Sequence, residues 1–124
     1  MNAKIKLPDR AAAIPEIEVP IQRNSESDIQ PLSTVSDSGH ALIGSQPGDV
    51  TVKVSGFNIV EIPSVVICQA RQSTNFDRGY TDQFAIQVIE TATTFIRFRV
   101  RRIDDGTGSS GWGQNLRVDI LVIN

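Results

Sequence analysis

The sequence predicts an all-β protein, a small antiparallel β-sandwich of about six strands over residues 49–124, preceded by an extended N-terminal arm and linker over residues 1–48. Three observations predict it. All seven aromatic residues lie between Phe57 and Trp112, whereas five of the six prolines lie between Pro8 and Pro47, so bulky core material is confined to the second part. After Gly48 the apolar residues recur with period two, as half-buried strands require. No stretch carries the apolar repeat of an amphipathic helix.

In the first part, prolines at 8, 15 and 20 interrupt any helix, because each removes an N–H and restricts the residue before it. Between them Ile17, Val19 and Ile21 alternate with Glu16 and Glu18, a strand pattern with no turn and no partner strand close by in sequence. A lone strand is unstable in water, so the expectation is that it adds to the sheet edge of another subunit. Residues Arg23 to Asp49 are rich in Ser, Asp, Gly and Pro and read as a linker, with a short ordered stretch near Ala41-Leu42-Ile43. His40, the one histidine, falls in this polar segment and reads as an exposed loop residue.

The strands after Gly48 follow in order. Val50, Val52 and Val54 form one inward row. Ser64 to Ala70 reads as a buried strand that makes Cys68 an inert core thiol. Phe84, Ile86 and Val88 make the next row, and Glu90 to Thr94 suggests a hairpin into Phe95–Arg101. There Ile96, Phe98 and Val100 point to the core while Arg97, Arg99 and Arg101 line the opposite face. After the polar loop Asp104 to Gly111, Leu116, Val118, Ile120 and Val122 close the sandwich.

Composition excludes several functions. The net charge is −2, with four basic and six acidic side chains through Gly48 and eight of each sign afterwards, so the basic excess of a nucleic-acid binder is missing. No apolar run approaches the roughly 20 residues of a membrane span, and no apolar segment follows Lys6 as a signal peptide would require. One cysteine excludes a disulfide framework and a cysteine-rich zinc site. Asp104-Asp105-Gly106 lacks the further spaced oxygen ligands of a calcium loop, so neither metal nor cofactor is expected. Ser45 lacks the flanking glycines of a hydrolase elbow, and no pair of residues is assigned acid and base roles, so the chain reads as non-enzymatic.

Two groups remain as candidate sites. The three arginines repel one another in isolation, so acidic groups should face them: Asp119 or Glu90 of the same chain, Glu16 or Glu18 from another chain's arm, or an anionic ligand. Ile17, Val19, Ile21, Arg97, Arg99 and Arg101 are therefore candidate subunit-interface residues. Tyr80, Asp82, Trp112 and Gln114 combine aromatic faces with directed polar groups, which sugar recognition requires. The same aromatics would equally cover the end of the sandwich or an interface.

Ile62-Pro63-Ser64-Val65-Val66-Ile67, Gln83–Val88, Phe95–Val100 and Leu116–Val122, in that order, resemble the H-type lectin domain, including its versions in bacteriophage structural proteins. The resemblance spans Val50 to Asn124. It implies a six-stranded antiparallel sandwich that forms trimers and, in animal members, binds N-acetylgalactosamine-type sugars. Gln83 stands where those lectins usually have arginine, and Val122-Ile123-Asn124 where they usually end in Trp-Ile, changes that touch ligand more than scaffold. The expectation is a virion structural protein, assembled in the host cytoplasm as a capsid decoration or a tail or fibre component. It would anchor to other virion proteins by its arm and trimerise through its sandwich; the alternative is a lectin module for surface glycans.

Overall fold

A computed structural model describes residues 14–23, 35–72, 82–104 and 111–123. Every regular element among them is a strand: β1 Glu16–Pro20, β2 Val35–Ile43, β3 Val50–Ser55, β4 Val65–Gln72, β5 Phe84–Thr91, β6 Phe95–Arg102 and β7 Leu116–Ile123. They form a four-stranded sheet A in the order β1-β3-β6-β5 and a three-stranded sheet B in the order β2-β7-β4. The protein is thus all-β, and five strands follow Gly48 where about six were expected. The first 48 residues add two more.

Period-two patterning explains the packing. Val50, Val52 and Val54 of β3 and Ile96, Phe98 and Val100 of β6 are fully buried and face Ala41, Ile43, Leu116, Val118, Ile120 and Val122 of sheet B. Burial of each large aliphatic or aromatic side chain contributes about 1.5–3 kcal/mol. β5 and β6 form the expected hairpin, closed by the Ala92 N–H donating to the Phe95 carbonyl at 3.0 Å.

Three expectations are corrected. The strand of the arm exists at Glu16–Pro20, but its partner is β3 of the same chain, from Glu16 beside Thr51 to Pro20 beside Ser55. The pairing is parallel, the one exception to antiparallel order, and β2 in the other sheet supplies the long crossover that parallel strands need. Ile21 continues into the core at 8 % exposure.

The linker reading of residues 23–49 fails over residues 35–40: the ordered stretch expected near Ala41-Leu42-Ile43 is the end of β2, which pairs along β7 from Ile123 to Leu116. Its small residues conceal a strand for a packing reason. A Cβ on Gly39 would collide with the Gln22 carbonyl and lie 2.8 Å from Ile21 Cγ1, so only glycine lets the arm cross here. His40 is accordingly a strand residue, exchanging backbone hydrogen bonds with Gln22 at 2.7 and 2.8 Å. Ser64 to Ala70, expected as a buried strand, falls largely in the edge strand β4, half-buried on one face and exposed on the other.

Candidate functional site

β6 directs the arginine row outward on sheet A, and the chain's own carboxylates meet it. Arg97 donates from Nε to Glu16 Oε1 at 2.8 Å and from Nη1 to Glu90. The hydrogen bond to Glu16, aided by the charges of Glu16 and Glu90, raises the Arg97 pKa. Glu90 was an expected partner, whereas Glu16 was expected from another chain; β1 supplies it in cis. Arg101 Nε lies 3.7 Å from Asp49 Oδ2. Arg99, between Thr51 and Gln87 across the sheet, keeps a buried Nε without a hydrogen-bond partner. Arg97, Arg99, Arg101 and Lys53 are thus matched in number by Glu16, Glu18, Glu90 and Asp49 on β1, β5 and the start of β3. Among the described residues the face carries no cationic surplus to recruit an anion, and exposed pairs of this kind each contribute less than about 1 kcal/mol.

Asp119 does not face this row. It lies on sheet B, accepting from Arg117 Nε at 2.8 Å and Arg71 Nη1 at 3.5 Å, directly across from His40. Partial burial, then the charges of Arg117 and Arg71, lower the His40 pKa against the opposing pull of Asp119. Ile17 and Val19 pack half-buried on the core, and Ile21 enters it, so all three serve this chain's own sandwich.

Of the four candidate sugar-binding residues, Tyr80 lies outside the described residues and the other three gather at one end of the sandwich. Trp112 is 4 % exposed; its Nε1 donates to the Gly44 carbonyl at 3.2 Å, and its ring meets Phe84 edge-to-face at 5.1 Å. Backbone hydrogen bonds with Gln46 fix it further. The indole plugs the core and presents no open face for a sugar to stack on. Gln114, also buried, donates from Nε2 to Asp82 Oδ2 at 3.1 Å.

Asp82 in turn lies 3.3 Å from Arg102 Nη2, and Arg102 grips Asp104 through Nε at 2.9 Å and Nη2 at 3.1 Å. Asp104 also accepts from the Gln83 N–H at 3.1 Å. The Arg102 guanidinium first, and that amide second, pull the Asp104 carboxyl down to about 2. Asp104, the one described member of the Asp-Asp-Gly segment, is therefore committed to an arginine and an amide rather than a cation. Arg102 is the organiser that sequence reasoning missed, because it follows Arg101 directly in the sequence although its parity is that of Ile96, Phe98 and Val100.

Beside this network a cleft of about 450 Å³ opens between β4 and β5, lined among others by Cys68, Arg71, Asp82, Phe84, Ile86 and Gln114. Its walls mix apolar and amide groups with the charged Arg71 and Asp82, which suits a polar ligand with an apolar face. Burial pushes the Cys68 thiol up to about 12, so it stays protonated and unreactive on this wall.

A second feature escaped sequence reasoning altogether. On the outer face of sheet B, Val65 and Ile67 of β4 are 45 % and 49 % exposed, with Leu42 of β2 at 49 %. Val65 and Ile67 stand beside Ile123 and Leu121 of β7, extending an aliphatic strip toward the β4 edge. The strip was invisible while Ser64–Ala70 read as core. Compared with protein families, with characterised proteins and with solved structures, the chain matches none.

Proposed function

We propose that the chain is a non-enzymatic structural subunit that associates with further copies of itself through the sandwich. The exposed aliphatic strip of Val65 and Ile67 carries this reading: adjacent exposed aliphatics at a sheet edge favour protein contact over solvent. The carboxylates support it as well, since Asp82, Asp104, Asp119, Glu16 and Glu90 are each engaged by arginine, an arrangement suited to holding strands together rather than to moving protons. Within this proposal the setting is a virion, as a capsid decoration or a tail or fibre component beside other virion proteins. The resemblance to phage H-type lectin-like domains supplies that setting, and association in two-fold pairs takes the place of the trimer that the resemblance implies. The arm's strand, spent on β3, is no longer the anchor in this scheme. Sedimentation equilibrium of the full chain tests the proposal: a reversible oligomer is expected, and a monomer at every concentration overturns it.

The cleft beside Asp82 and Gln114 favours a second reading, a carbohydrate-binding module. Because Trp112 belongs to the core, its test is glycan-array binding that disappears in Gln69→Ala, a substitution of an exposed residue lining the cleft. Silence of the folded chain across broad arrays removes this reading.

A further inference from the structure

We propose that the free edge of β4 is where two copies of this chain join, by antiparallel β4-to-β4 pairing about a two-fold axis that makes sheet B continuous between them. The proposal rests on the self-association reading above and assigns its surface. Its premise is that an open sheet edge displays unpaired N–H and C=O groups and must be protected or used.

Among the described residues the sandwich has four edge strands, β1 and β5 in sheet A and β2 and β4 in sheet B. Three are blunted. β1 spans five residues, follows Pro15, ends at Pro20 and exposes Glu16 and Glu18. β2 breaks register between Val35 and Asp37, and β5 between Val88 and Glu90, bulges that turn an edge away from pairing. β4 has none of these devices. It pairs with β7 without a register shift from Val65 to Gln72, contains no proline, and carries one charge, Arg71.

Side chains on both faces of β4 also lack cover. Val65 and Ile67 are about half exposed on the outside, and inside, Val66, Cys68 and Ala70 are only partly buried although Val118 and Ile120 of neighbouring β7 are at 0 % and 3 %. The unguarded edge, the exposed outer aliphatics and the under-covered inner row all lie on this one strand.

Charge selects the occupant's orientation. Arg71 already stands opposite Arg117 of β7. Parallel pairing with a second β4 would align two such pairs in one row, four guanidiniums abreast, which like-charge repulsion disfavours. Antiparallel pairing centred on Cys68 instead sets Arg71 opposite Val65 of the second copy and Gln69 opposite its Ile67. Outward residues then meet outward residues, as sheet geometry demands. The stems of Arg71 and Gln69 would lie over the exposed aliphatics while the guanidinium stays in water. A second copy of β4 thus supplies what β4 lacks without introducing a like-charge contact.

The test compares three variants of the full chain by sedimentation equilibrium, with circular dichroism confirming the β fold. Ile67→Lys places a charge on the pairing edge. Gln69→Lys exchanges one exposed polar residue for another and brings two ammonium groups diagonally across the axis. Leu42→Lys, equally exposed on the same sheet face but on the opposite edge strand, is the control. The proposal predicts an assembly built on two-fold pairs, weakened about tenfold or more in Ile67→Lys and Gln69→Lys, and unchanged in Leu42→Lys. An oligomer indifferent to both β4 variants overturns the β4 edge while leaving self-association standing. Equal loss in all three variants overturns it in favour of face-on packing of sheet B. A monomeric wild-type chain overturns both this inference and the reading beneath it.

Discussion

Asp104 shows how a local polar cluster fixes the charge state of one exposed carboxyl. Its folded value of about 2 lies below the ordinary 3.8 because Arg102 and the Gln83 amide favour the carboxylate. A depressed carboxyl stabilises the fold above its unfolded value, and that contribution is lost as pH falls through the folded one. Stability of the wild-type chain should therefore drop between about pH 4 and pH 2. Asp104→Asn should show a shallower acid limb in urea titrations at stepped pH. An identical limb in the two proteins would mean that Arg102 does not hold this carboxyl.

Gly39 makes the complementary point about space. Gly39→Ala drives a methyl into the Gln22 backbone and Ile21, neither of which is a flexible tip, and should cost about 2 kcal/mol or more in urea unfolding. Gly44→Ala, with nothing within 4 Å, should stay within about 0.5 kcal/mol of wild type.

At the scale of the element, β6 and β7 were fully legible because each alternates without interruption: Ile96, Phe98 and Val100 inward with arginines outward, and Leu116 to Val122 likewise. β1 was legible as a strand but not as this chain's strand, since nothing in Glu16–Pro20 encodes a parallel partner 35 positions away at Thr51. β2 was legible only at its end, Ala41 to Ile43, because Ser36, Asp37, Ser38 and Gly39 have low strand propensity, and the glycine answers to the arm crossing it. The end network was half legible: Asp82 and Gln114 stood out as polar residues near aromatics, but Arg102 did not. The burial of Trp112 depended on Phe84, Gln46 and Gly44 converging from distant segments. β1 yields its own prediction. Glu16→Lys places a cation beside Arg97 and should loosen β1 from β3, seen as faster amide exchange at Ile17 and Val19 with β7 unchanged. Equal exchange in variant and wild type would leave the Glu16 to Arg97 pair without a structural role.

At the scale of the whole molecule, the described strands of the first 48 residues complete both sheets of the sandwich. The strand expected to bind another subunit is consumed internally, and in the proposed scheme the capacity for association moves to β4, whose outer face and inner row are both under-covered. This shift follows from tertiary pairing, which a single sequence displays only indirectly. Amide hydrogen exchange on the full chain, at a dilute and a concentrated protein condition, tests self-association of the sandwich through this edge. Protection in β4 should rise with concentration while the edges β1, β2 and β5 stay constant; exchange in β4 that is independent of concentration would rule out pairing there.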